Sequence, residues 1–191
     1  MRTSVNPEKV YELMRALARA ARGRARVYFT GGATAVLKGW RSLTIDVDLR
    51  FEPERPELFA ALPALKEKLC INVEMASPQD FIPPLPGWTD RSELISTEGP
   101  LTFYHYDFYA QTLAKIERGH AQDAIDIASF FQTGLVDPER LLAIFRKIED
   151  DMPRYPAIDV PTFRAKVETA VAFGRDPSRG DPIIDSEQQH G

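Results

Sequence analysis

Residues 29–49 read FTGGATAVLKGWRSLTIDVDL. A short apolar run over residues 27–30 is broken by Gly31 and Gly32, residues 33–38 look helical, and Gly39 stops them. The order is strand, glycine turn, helix. A second strand over 43–50 alternates acidic and aliphatic residues. Strand side chains alternate faces with a period of two, so Asp46 and Asp48 point to the same side. Two like charges so close repel unless a cation lies between them, and hard oxygen donors at this spacing suit magnesium or manganese. Solvated acids on an exposed strand are the plainer alternative. The bare backbone N–H groups of Gly31 and Gly32, at the positive end of a helix, suit phosphate oxygens, although turns also use such pairs.

Toward the N-terminus, Asn6 and Pro7 form a cap and first turn, and Val10, Leu13, Met14, Leu17 and Ala21 recur at helical spacing. A helix of about 16 residues ending at Gly23 is expected. Downstream of the acidic strand, prolines 53 and 56 lead to a helix over 57–68 and a third strand over 70–75. Glu74 stands at the end of that strand and reaches the same cation position if the two strands are neighbours. Residues 76–100 hold five prolines and two glycines, which excludes a long regular element and marks a lid or binding segment. A strand over 101–106 follows, then helices over 107–119, 121–133, 138–150 and 161–174. Asp107, Asp137 and Asp159 read as N-caps. Residues beyond Gly174 are polar and expected to be disordered. The fold class is α+β, a small mixed sheet with flanking helices followed by a C-terminal helical bundle. The boundaries are 1–106 for the α/β core, 107–174 for the helical region and 175–191 for the tail.

The chain has 191 residues, 43% hydrophobic and 27% charged, which is one core with room for an appendage and excludes a disordered or fibrous protein. No apolar stretch approaches the roughly 18 residues of a membrane helix, and the N-terminus lacks a signal-peptide core, so a cytoplasmic location is expected. The single cysteine, Cys70, excludes an internal disulfide and reads as a small buried residue. Net charge is −4, unlike a nucleic-acid coat protein. Residues 1–26 nevertheless carry +5, a basic segment that meets a polyanion or acidic partner, or is simply a solvated helix face. His105 reads as a packed strand residue, since three scattered histidines show no metal-ligand spacing. Trp40 and Trp88 read as packing anchors.

The glycine pair, the 13 residues separating Gly32 from Asp46, the Asp-Val-Asp strand and the later Glu74 together resemble the nucleotidyltransferase superfamily of the DNA polymerase β-like group. The stretch AQTLAKIERGHAQDAIDIASFFQTGLVD resembles the segment following the catalytic domain in abortive-infection-type nucleotidyltransferase toxins. The segments SPQDFIPPLPGW and FYHYDFYAQ resemble an uncharacterised bacterial subfamily of nucleotidyltransferase-like proteins.

The resemblance implies an enzyme that moves a nucleoside monophosphate from a nucleoside triphosphate donor to a hydroxyl of RNA or protein, with magnesium or manganese as cofactor. It implies a possible toxin role with a cognate antitoxin as partner, and no membrane association. By the same resemblance Asp46, Asp48 and Glu74 hold the metal, with Glu74 as third ligand or general base. Gly31 and Gly32 cradle the β- and γ-phosphates, and Thr34 adds a hydroxyl donor. Lys115 touches the triphosphate, Arg41 offsets transition-state charge, and Asp123 or Asp126 completes the site. Arg41 is equally read as a surface residue. Ala121 and Gln122 stand where those toxins carry basic residues, which favours an alternative: a non-catalytic module of the same fold that binds a nucleotide or partner protein.

Overall fold

The computed structural model describes residues 4–183. By contacts the chain divides into two units, Met1–Ser77 with Thr89–Tyr106, and Pro78–Trp88 with Asp107–Gly191. The fold is α+β.

The first unit begins with α1 (Pro7–Ala20), capped by Asn6, whose side chain accepts from the Lys9 N–H at 3.0 Å. The expected helix is thus present but ends before Gly23. β1 (Ala25–Thr30) runs straight into α2 (Gly31–Lys38), which stops at Gly39 with φ +90. β2 (Asp46–Glu52), α3 (Pro56–Leu69) and β3 (Asn72–Met75) follow. A four-residue helix α4 (Trp88–Arg91) precedes β4 (Glu93–Glu98), and Gly99 at φ +54 turns the chain into β5 (Leu101–His105).

The five strands form one mixed sheet in the order β3-β2-β1-β5-β4. β1 pairs antiparallel with β2 and parallel with β5, β2 runs parallel to β3, and β4 is antiparallel to β5. One face carries Val27, Phe29, Val47, Leu49, Phe51, Val73, Leu101 and Phe103, packed with Val10, Leu13, Met14 and Leu17 of α1 and Leu58 and Leu62 of α3. By alternation the other face carries Arg26, Tyr28, Asp46, Asp48, Arg50, Glu52, Asn72 and Glu74. The apolar face drives the sheet onto its helices.

Two expectations are corrected. Residues 93–98, expected inside one long loop, form β4; as an edge strand it is mostly exposed, so its sequence lacks the alternation that reveals a half-buried strand. Cys70 is exposed rather than buried, because it is the C-cap of α3 in the left-handed region at φ +54.

The second unit holds α5 (Phe108–Arg118), α6 (Ala121–Gln132), α7 (Pro138–Ile148) and α8 (Val160–Arg175). Asp107, Asp137 and Asp159 cap their helices by accepting from Tyr109, Arg140 and Thr162 N–H groups, as expected. Phe108 packs on Phe130 at 5.7 Å, and Phe145 meets Phe163 edge-on at 5.1 Å. A short helical turn follows α8 at Pro177–Arg179. The remainder of the tail expected to be disordered, 184–191, lies outside the described residues.

Candidate active site

The segment before α1 and the segment leading into β2 are held together by an exchange of backbone hydrogen bonds. Val5 N–H donates to the Thr44 carbonyl at 2.7 Å, and Thr44 N–H returns one to Val5 at 2.9 Å. Thr44 is thereby seated against the glycine turn, with its hydroxyl donating to the Asp46 carbonyl at 3.1 Å. A Cβ on Gly32 would overlap the Thr44 side chain, and one on Gly31 would lie 2.6 Å from Asp48 Oδ2. Gly31 also adopts φ +58, where side chains are strained. Both glycines therefore let the first turn of α2 press directly against the acidic strand.

The acids are ordered by register. Thr30 pairs with Asp48 across β1 and β2, and Asp48 pairs with Glu74 across the parallel β2 and β3. Register partners on adjacent strands share a face, so Asp46, Asp48 and Glu74 lie on one side of the sheet. Asn72, the register partner of Asp46, is buried at 9% exposure. Its amide donates to Asp46 Oδ1 at 2.7 Å and to Glu74 Oε1 at 2.8 Å. Those bonds offset the repulsion of two carboxylates a strand apart.

Sequence reasoning passed over Asn72. The signal was its spacing of two from Glu74 on the same strand, which puts both on one face. Among the described residues no three Asp, Glu, His or Cys side chains are grouped to hold a metal ion as they stand. The donor chemistry nevertheless fits a hard dication, with three carboxylates and one carboxamide on a single face beside a helix N-terminus.

Other singled-out residues fall elsewhere. Thr34 is fully buried, and its hydroxyl lies 3.3 Å from the Phe29 carbonyl, to which it donates, and 3.2 Å from His105 Nδ1. His105 is buried, as expected of a packed strand residue; burial, assisted by the Lys38 charge, lowers its pKa to about 3 and keeps it neutral. Arg41 follows α2, its backbone N–H donating to Ala35 at 3.3 Å, so its backbone sits at the far end of that helix from Gly31.

Lys115, Asp123 and Asp126 come together within the helical unit, where Gly119 at φ +66 reverses α5 into α6. Lys115 Nζ lies 2.6 Å from Asp126 Oδ2 and 2.9 Å from Asp123 Oδ1, and all three are buried. Arg118 completes the set with two bonds to Asp123, at 2.9 and 2.7 Å. Burial works to raise the Asp123 pKa, but the hydrogen bonds and charges of Arg118 and Lys115 outweigh it and leave the pKa lowered. The lysine is thus engaged by two carboxylates.

No helix among the described residues is long and apolar enough to cross a membrane. No curated protein and no solved structure matches the chain. The sequence profile of the family described as "nucleotidyltransferase of unknown function" (DUF6036) matches residues 8–166, a span that takes in the glycine turn, the acidic strands and the helices through most of α8. The chain belongs to that family.

Proposed function

We propose that the protein is a magnesium-dependent nucleotidyltransferase that moves a nucleoside monophosphate from a nucleoside triphosphate to a hydroxyl of RNA or protein. The observation that carries this reading is the register of Asp48 with Glu74, with Asp46 on the same face and Gly31 against Asp48. Asp46, Asp48 and Glu74 would hold magnesium, or manganese, with the Asn72 amide keeping Asp46 and Glu74 in place. The ion when bound supplies neutralisation of phosphate charge and acidification of the attacking hydroxyl.

The remaining work belongs to the chain. The N–H groups of Gly31 and Gly32 orient the β- and γ-phosphates at the start of α2. Glu74, more exposed than Asp46 and Asp48, serves as third ligand or as the general base that takes the acceptor hydroxyl proton. The hydroxyl oxygen then bonds to the α-phosphorus as the bond to pyrophosphate breaks. Thr34, buried beneath the turn, supports it from within. Within the helical unit, Asp123 and Asp126 set the position of Lys115.

A second reading, a module of this fold that binds a nucleotide without turnover, is favoured by the engagement of Lys115 by Asp123 and Asp126. Incubation with magnesium and each α-labelled nucleoside triphosphate, in the presence of total RNA and lysate protein, separates the two. Label passing to a macromolecule supports the transferase, and metal-dependent nucleotide binding without transfer supports the module. A toxin role with an antitoxin partner extends the first reading. Growth arrest on expression of the wild type but not of Asp46→Ala/Asp48→Ala would support it.

A further inference from the structure

The polar face of the sheet does not end at the acids. Along β2 the same face carries Asp46, Asp48, Arg50 and Glu52, so Glu52 lies about 13 Å from Asp48 at roughly 3.3 Å per residue. At that end a cavity of about 680 Å³ is lined by Arg24, Arg26, Glu52, Thr97, Gly99 and Thr102 among others. Register places Arg26 beside both Glu52 and Thr102, and Thr97 beside Thr102, so side chains from four strands converge there. A Cβ on Gly99 would meet nothing within 4 Å, which leaves the mouth open at the β4–β5 turn.

The lining sets two guanidinium groups, Arg24 and Arg26, against one carboxylate, Glu52, a net positive charge that suits phosphate. Arg24 and Arg26 are exposed, and the Arg26 guanidinium donates to the Tyr28 hydroxyl oxygen. Arg55, the N-cap residue of α3, donates to the Arg24 carbonyl at 2.9 Å and so holds the Arg24 backbone in place. These arginines belong to or abut the basic segment 1–26, whose +5 charge the transfer chemistry does not use. Between this cavity and the acids the face carries a ring stack, Tyr28 on Tyr104 at 5.3 Å, with Tyr104 half-buried. Guanidinium forks, hydroxyl donors and an aromatic ring in sequence are the elements that hold a single nucleic-acid strand.

We infer that the Arg24–Arg26 cavity is a phosphate-anchoring subsite for single-stranded RNA, which holds the strand some 13 Å from the acids so that a hydroxyl further along it reaches Asp48. That the bound strand is the acceptor rests on the transferase reading; that it binds does not.

The test is fluorescence anisotropy of a labelled short single-stranded RNA, without magnesium or nucleotide, over a range of salt concentrations. The wild type binds, with affinity falling as salt rises. Arg24→Ala/Arg26→Ala binds about tenfold or more weakly, and the slope of log affinity against log salt is shallower by about 1.4, two phosphate contacts' worth. Arg24→Lys/Arg26→Lys recovers most of the slope. Failure of the wild type to bind, or an unchanged slope in the alanine variant, overturns the inference. So does equal competition by a polyglutamate peptide, which would assign the site to an acidic protein. RNA binding without label transfer would sink the transferase reading and leave the subsite standing.

Discussion

The amide of Asn72 donates a hydrogen bond to the carboxylate of Asp46 at 2.7 Å, across the parallel pairing of β3 with β2. The same amide serves Glu74, so one neutral side chain fixes two of the three acids. Groups that orient metal-binding carboxylates commonly change affinity or rate by about 10–100-fold when removed. Asn72→Ala is accordingly expected to weaken magnesium and slow transfer by about that factor and, by leaving the repulsion of Asp46 and Glu74 without its offset, to lower the melting temperature. A magnesium titration of transfer, beside a melting curve, checks it; unaltered magnesium dependence would mean the amide is a bystander.

The glycine turn permits a sharper test. Gly31→Ala forces a Cβ against Asp48 Oδ2 at 2.6 Å and retains a left-handed backbone. The backbone cost alone is about 1–2 kcal/mol. Gly32→Ala instead displaces Thr44 and with it the start of β2. Both variants should melt earlier, and both should lose metal-dependent nucleotide binding by calorimetry. Full binding in a destabilised Gly31→Ala protein would show that the turn shapes the fold and not the phosphate site.

Lys115 joins two buried acids, and removing one partner of a buried ion pair costs about 3–5 kcal/mol because the remaining charge is stranded. Lys115→Met should therefore lower stability by that amount in urea. Lys115→Met/Asp126→Asn should recover part of it, since the two residues are coupled. A Lys115→Met protein of wild-type stability but weakened nucleotide binding would make the lysine a ligand for phosphate rather than a brace between α5 and α6.

His105 predicts a pH dependence whose sign is fixed by burial. Its pKa falls from 6.5 to about 3 on folding, so the unfolded chain binds the proton more readily and stability declines as pH drops below 6.5. The decline is about 1.4 kcal/mol for each pH unit until the folded pKa is approached. Asp123, with its lowered pKa, adds acid sensitivity only below about 4. Urea unfolding of wild type and His105→Gln between pH 7 and 5 tests this; parallel curves would contradict it.

What was legible in the chain follows from how local each signal is. Asn6 with Pro7, Gly39, and Asp137 with Pro138 act within one turn, and each appears where its residues indicate. The shared face of Asp46 and Asp48 needs only the period of a strand. Glu74 needed the strand order β3-β2-β1, which spacing does not contain, and Asn72 needed the register as well. β4 was hidden because an exposed edge strand has no apolar alternation to read. The pairing of Lys115 with Asp126 depends on how α5 lies against α6, a matter of packing rather than of spacing along either helix.

The central claim is that Asp46 and Asp48 are the metal-binding pair of a transferase. Purified wild type and Asp46→Asn/Asp48→Asn, incubated with magnesium, each α-labelled nucleoside triphosphate, RNA and lysate protein, give the most direct reading. The account predicts label in a macromolecule with the wild type only, abolished by chelating the metal, with both proteins equally folded by their melting curves. Equal labelling by the two proteins, or transfer undiminished by chelator, would contradict it.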